Sequence, residues 1–140
     1  MRFCLSFGRG EMYVCRYPKP VGVQALRGAI QVPTDSPHAL RESVPRLLTE
    51  VLRANQVNYD QIISMFFTAT PDLTSDFPAA AARVLPVGDI PLICAAEIAV
   101  PGALERVVRV MIHIETDKAR SELKHIYLDG AEVLRNDIAQ

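Results

Sequence analysis

Three charged residues stand where an apolar core would be expected. Glu97 lies in the run Cys94-Ala95-Ala96-Glu97-Ile98, and Arg109 lies in Val107-Val108-Arg109-Val110-Met111. Arg27 sits in Ala25-Leu26-Arg27-Gly28-Ala29-Ile30. Both arginine runs favour strands, and period two places Arg109 beside Val107, Met111 and His113, and Arg27 beside Val23, Ala25 and Ala29. A charge on such a face is costly unless it is paired or turned toward a polar ligand. A lone arginine on an edge strand can lay its stem on apolar surface and reach water with its head. Three such charges in one small domain instead point to a pocket, with Glu97 and Arg109 projecting from neighbouring strands.

Other chemistries lack their residues. Neither G-x-x-x-x-G-K-[ST] nor G-x-G-x-x-G occurs, so the usual phosphate cradles are missing. His38, His113 and His125 are not at metal-ligand spacing, and Cys94 has no histidine near it in sequence. What remains is a set of arginines, one carboxylate and one tyrosine, Tyr127. That set suits recognition of a carboxylated small molecule and stabilisation of charge that develops during reaction, with no metal and no cofactor.

The 140 residues fit one domain, and 49% hydrophobic with 22% charged residues is the balance of a globular chain with its own core. Fifteen basic against 16 acidic residues give a net charge of −1, so no global field recruits nucleic acid or an anionic membrane. Cys4, Cys15 and Cys94 are odd in number and fit a reducing compartment better than a disulfide framework. With no apolar run of about 18 residues and no secretory pattern at the start, a cytoplasmic location is expected. Residues 1–20 mix Gly, Pro, Arg and aromatics without period and are expected to be a flexible extension. The folded domain should cover residues 21–140.

A strand is expected from Val21, then a helix opened by Ser36 as N-cap and Pro37 at its first position. Leu40, Val44, Leu47, Leu48, Val51 and Leu52 form its apolar stripe, and Pro45 should kink or restart it. Ile62 to Thr70 reads as a central strand. Asp76 or Phe77 then precedes Pro78 at the start of a short helix carrying Arg83, where an exposed surface arginine is the ordinary reading. Leu92 to Val100 and Arg106 to Glu115 read as two strands joined around Pro101-Gly102. A polar connection leads to an extended piece at His125 to Leu128 and an ambiguous end at Ala131 to Arg135. The order strand-helix-strand-helix-strand-strand predicts an α+β domain with helices on one face of a mixed sheet.

Five segments carry a family resemblance: L-R-G-A-I-Q-V at Leu26, T-A-T-P-D-L-x-x-x-F-P-A at Thr68, C-x-x-E at Cys94, R-V-M at Arg109, and H-I-Y-L-D-G with V-L-R from His125 to Arg135. In this order they resemble the AroH-type chorismate mutases over almost everything from Val23 to Asp137. The resemblance implies an enzyme that turns chorismate into prephenate by a Claisen rearrangement, without covalent or acid-base chemistry, toward phenylalanine and tyrosine. It implies a homotrimer, a pseudo-α/β barrel with three active sites in clefts between subunits. Arg109 would then serve the ether oxygen and a carboxylate, and Glu97 the substrate hydroxyl and the ring fragment that gains positive character. Arg27 and Tyr127 would hold the side-chain carboxylate, with Cys94 against the hydroxyl side of the pocket. Phe77, Ala79 and Arg83 would come from the neighbouring subunit, and Leu134 and Arg135 would close the site as a mobile flap.

The chain departs from the family pattern in three places. Ala80 stands where a Lys is frequent, and Ile93 where a Thr is common, so that only the backbone of Ile93 can serve. The usual R-P-D-L ending is Arg135-Asn136-Asp137-Ile138. Two other readings use the same arginines: a trimeric imine deaminase, whose motif is not found here, and a small-molecule sensor that accelerates nothing.

Overall fold

The structure, a computed structural model, describes residues 20–135. Almost all of the expected extension, with Cys4 and Cys15, lies outside the described residues, as do Asn136, Asp137 and Ile138.

Five strands form one mixed sheet. In chain order they are β1 (Gly22–Gln31), β2 (Ile62–Ala69), β3 (Leu92–Ala96), β4 (Val107–Thr116) and β5 (Ile126–Leu128), with spatial order β3-β2-β4-β1-β5. The long central strand β4 runs antiparallel to both β1 and β2, while β2–β3 and β1–β5 are parallel pairs. Helix α2 (Pro78–Ala82) supplies the crossover of the parallel pair β2–β3, and helix α1 (Pro37–Asn55) connects β1 to β2.

Alternation divides the sheet into two faces. Leu26 and Ile30 of β1, Met65 and Phe67 of β2, and Val108, Val110, Ile112 and Ile114 of β4 are buried in the core with the apolar stripe of α1. All six predicted stripe residues of that helix are buried. The Ser36 side chain accepts from the Ala39 amide at 3.1 Å, which makes it the expected N-cap. Pro45 does not restart the helix, which runs through it as a single 19-residue element. The carbonyl of Arg41, which loses its donor to the proline, belongs to an exposed residue and can be hydrated. Gly28 lets α1 approach closely: a Cβ there would lie 2.9 Å from Val51 Cγ2 and 3.1 Å from Leu47 Cδ1.

The strand expected to reach Val100 stops at Ala96, the last residue paired with β2. Past one further bond from the Glu97 amide to β2, the chain leaves the sheet and turns at Gly102, whose φ is +78°. β3 and β4 are therefore not neighbours, because β2 lies between them. The loop returns to the sheet at Arg106, a non-glycine residue with φ of +53°. That conformation is held by the Arg106 amide donating to Asp72 Oδ2 at 2.8 Å and by its Nε donating to the Val32 carbonyl at 3.2 Å.

Candidate active site

The second face of the sheet is not covered by either helix. Arg27 and Ala29 from β1, Phe66 and Thr68 from β2, Arg109 and Met111 from β4, and Tyr127 from β5 all project from it. They line a cleft of about 360 Å³ together with Arg135. Register explains the convergence: Ala29 is opposite both Arg109 and Tyr127, Arg27 is opposite Met111, and Thr68 is opposite Arg109. Three guanidinium groups thus share one small-molecule-sized cleft.

Glu97 enters this group from just beyond β3. Its amide donates to the Ala69 carbonyl at 2.9 Å, extending the pairing of β2 and β3 by one bond. The side chain then reaches over β2. Arg109 forms an ion pair with Glu97, Nε lying 2.9 Å from Oε1, and the Thr68 hydroxyl donates to the same oxygen at 2.6 Å. Glu97 and Arg109 also border an adjoining cavity of about 420 Å³ under the Ile98–Glu105 loop, where Leu134 joins them. The two charges read from the sequence are partners, but the contact spans β2 instead of joining adjacent strands. Because Nε is the guanidinium nitrogen used by Glu97, the two terminal nitrogens of Arg109 are the fork presented to a ligand.

The remaining predicted residues divide by location. Tyr127 and Arg135 line the cleft together with Arg27. Leu134 packs beside Ala29, Val107 and Ala131, so the first part of the predicted flap is a docked 3-10 turn, Ala131–Arg135. Ile93 lies opposite Phe66 on the same face, is 59% exposed and is not among the residues lining the cleft. Cys94 is turned the other way. It is opposite Phe67, packs with the core, and its sulfur accepts from the Ala79 amide at 3.3 Å. The thiol therefore faces α2, and Cys94 can address the cleft only through its backbone. Phe77 is exposed, Ala79 packs against the core and Arg83 is exposed at the end of α2, so none of them joins the cleft of its own chain.

Sequence reasoning did not single out Thr68, Asp35 or the role of His125. Asp35, before α1, accepts from the Thr74 hydroxyl at 2.9 Å and from the Thr74 and Ser75 amides at 3.1 and 3.0 Å. Hydrogen bonds from Ser75 and Thr74 hold its carboxyl below the usual range and fasten the loop that leads to Phe77. His125 Nδ1 accepts from the Arg27 amide at 3.0 Å, tying β5 to the strand that carries Arg27. Burial, reinforced by the charges of Arg27 and Arg135, pushes its pKa below 6.5. Among the described residues no three His, Cys, Asp or Glu side chains gather as a metal-binding group, and no helix is long and apolar enough to cross a membrane.

Among the described residues, the sheet face opposite the helices gathers three arginines and one paired carboxylate, a set of groups suited to a small anion bearing more than one carboxylate. The model of the family described as chorismate mutase type I matches residues 23–138, and the chain belongs to that family. It is 42% identical over 117 residues to chorismate mutase AroH of Thermus thermophilus, covering 83% of this chain and 96% of that protein. Against chorismate mutase AroH of Bacillus subtilis (strain 168) it is 32% identical over 118 residues, covering 84% and 93% respectively. A solved chorismate mutase from Clostridium thermocellum shares the fold with a TM-score of 0.77 and 43% identity, over 79% of this chain and 98% of that one.

Proposed function

We infer that the protein is a chorismate mutase, an isomerase that converts chorismate to prephenate in aromatic amino-acid biosynthesis. The observation that carries this reading, beside family membership, is the cleft itself, where Arg27, Arg109 and Arg135 meet and Glu97 is fixed against Arg109. The substrate is a dianion that breaks an ether carbon–oxygen bond while forming a carbon–carbon bond. All the electrons come from the substrate, so the protein has to select a conformer and meet developing charge. The terminal nitrogens of Arg109 donate to the ether oxygen as it becomes negative and to a carboxylate. Glu97 accepts from the ring hydroxyl and faces the fragment that becomes positive. Arg27 and Tyr127 hold the side-chain carboxylate, and the backbone at Ile93 and Cys94 serves the hydroxyl side.

We further propose that the cleft is completed by a second copy within a cyclic trimer. Support comes from the uncovered face, where Val23 is 63%, Ile93 59%, Met111 40% and Phe66 39% exposed. Apolar side chains grouped on one sheet face call for a covering surface. Phe77, Ala79 and Arg83, on the opposite layer of the chain, would form the far wall of the neighbour's cleft, with Arg83 drawing the dianion inward. Ala80 adds no charge there. Leu134 and Arg135 would close the entrance.

The test is loss of chorismate absorbance with the purified full chain, together with its particle mass by light scattering. Turnover by a particle of three chains is expected. Tight binding of a bicyclic transition-state mimic without turnover would make the protein a sensor and overturn the enzymatic reading. An active particle of one chain would overturn the shared cleft.

A further inference from the structure

Thr68 lies directly opposite Arg109 in the register of β2 and β4, on the wall of the guanidinium cleft. Its hydroxyl donates to Glu97 Oε1 at 2.6 Å, the oxygen that also lies 2.9 Å from Arg109 Nε in an ion pair. A carboxylate at the end of a rotatable side chain, one residue past the last strand position, has several rotamers open to it. A hydroxyl donor from one strand and a cation from the next, meeting on one oxygen, restrict that choice. A hydroxyl has one proton, so once it is donated to Glu97 none is left to donate to the substrate.

We propose that Thr68 is a positioning residue for the rearrangement: its hydroxyl and Arg109 Nε together hold Oε1 of Glu97 so that Oε2 is presented to the substrate hydroxyl. This rests on the reading of Glu97 as the acceptor of that hydroxyl. The Thr68 side chain donates to protein and not to substrate, so its contribution is made through Glu97. Its effect should therefore fall on the step in which charge develops beside that carboxylate, and hardly at all on the capture of substrate by the arginines.

The test uses the full chain and three substitutions at one position. Thr68→Val keeps the shape and removes the hydroxyl, Thr68→Ala removes it with less bulk, and Thr68→Ser keeps it. Loss of a hydrogen bond to a charged group predicts a fall in kcat of about tenfold or more for Val and Ala. KM should move by less than about twofold, and Thr68→Ser should retain most of the activity. Affinity for a bicyclic transition-state mimic, measured by calorimetry, should drop in parallel. In a Glu97→Ala background the Thr68→Val change should no longer alter that affinity, because the group it acts through is gone.

If the wild type fails to turn over chorismate, the enzymatic reading is what has failed. If the wild type is active and Thr68→Val keeps its kcat, or Thr68→Ser loses as much as Thr68→Val, the role of the hydroxyl is refuted. An undiminished effect of Thr68→Val in the Glu97→Ala background refutes it as well. Unfolding of both Val and Ala variants with a native Ser variant, seen by circular dichroism, would assign the hydroxyl to the fold and overturn the proposal.

Discussion

Replacing Arg109 by lysine separates the catalytic work of this side chain from its structural work. The guanidinium spends one nitrogen on Glu97, at 2.9 Å, and keeps two terminal nitrogens for the cleft. A lysine ammonium is a single point with three donors. Set close enough to Glu97 to pair with it, it cannot also bridge the ether oxygen and a carboxylate. The loss should resemble removal of one oxyanion-type donor, about 2.7–4 kcal/mol or about 10²–10³ in kcat. Stability should respond far less. The Arg109 side chain is 48% exposed, the positive charge is retained, and an ion pair with one end in water contributes at most about 1 kcal/mol. For a domain of this size that is a fall in Tm of no more than about 3–4 °C. The assay is chorismate consumption at saturating substrate, beside thermal unfolding and particle mass of the same preparation. Full activity in Arg109→Lys would refute the assigned role. A collapse of stability comparable to the loss of activity would show that the pair holds the fold together and does not serve the reaction.

Because the rearrangement moves no proton to or from the protein, kcat should be flat from about pH 7 to 8.5, and two titrating limbs in that range would indicate acid-base catalysis. Stability, in contrast, should depend on His125. Its folded pKa is lowered beneath 6.5, so just below 6.5 the unfolded chain binds a proton that the folded one resists. The stability tied to this group is fully present above 6.5 and declines as pH falls through that value toward the folded pKa. Thermal unfolding at pH 7.5 and 5.5 should show a larger acid loss in the wild type than in His125→Gln, and an equal loss in both would exclude His125 as the source. Gly28→Ala should cost about 1–3 kcal/mol in urea unfolding, since the new methyl meets the stiff Val51 side chain at 2.9 Å. An unchanged midpoint would mean that α1 can retreat from β1 freely.

Local rules carried much of this fold into view, and failed where the deciding partner is distant in sequence. The stripe and cap of α1 were legible because both depend on residues a few positions apart. Glu97 and Arg109 were legible as misplaced charges, but the strand between them was not, since strand order is a property of the whole sheet. Parity, however, was available. Cys94 and Glu97 are three residues apart, an odd separation, so a strand that sends Glu97 toward the cleft must send the Cys94 thiol to the helices, where it meets the Ala79 amide. The same alternation sets Phe66 and Thr68 on the cleft side and Phe67 in the core, which register with Arg109 then fixes. Applied to the whole sheet, it places Arg27, Thr68, Glu97, Arg109 and Tyr127 on one face, with both helices on the other. Residues at the start and end of α2 cannot come round a continuous sheet to meet those five. If Phe77 and Arg83 do contact the substrate, they must come from another copy of the chain, so a trans-acting Arg83 and the proposed trimer stand or fall together.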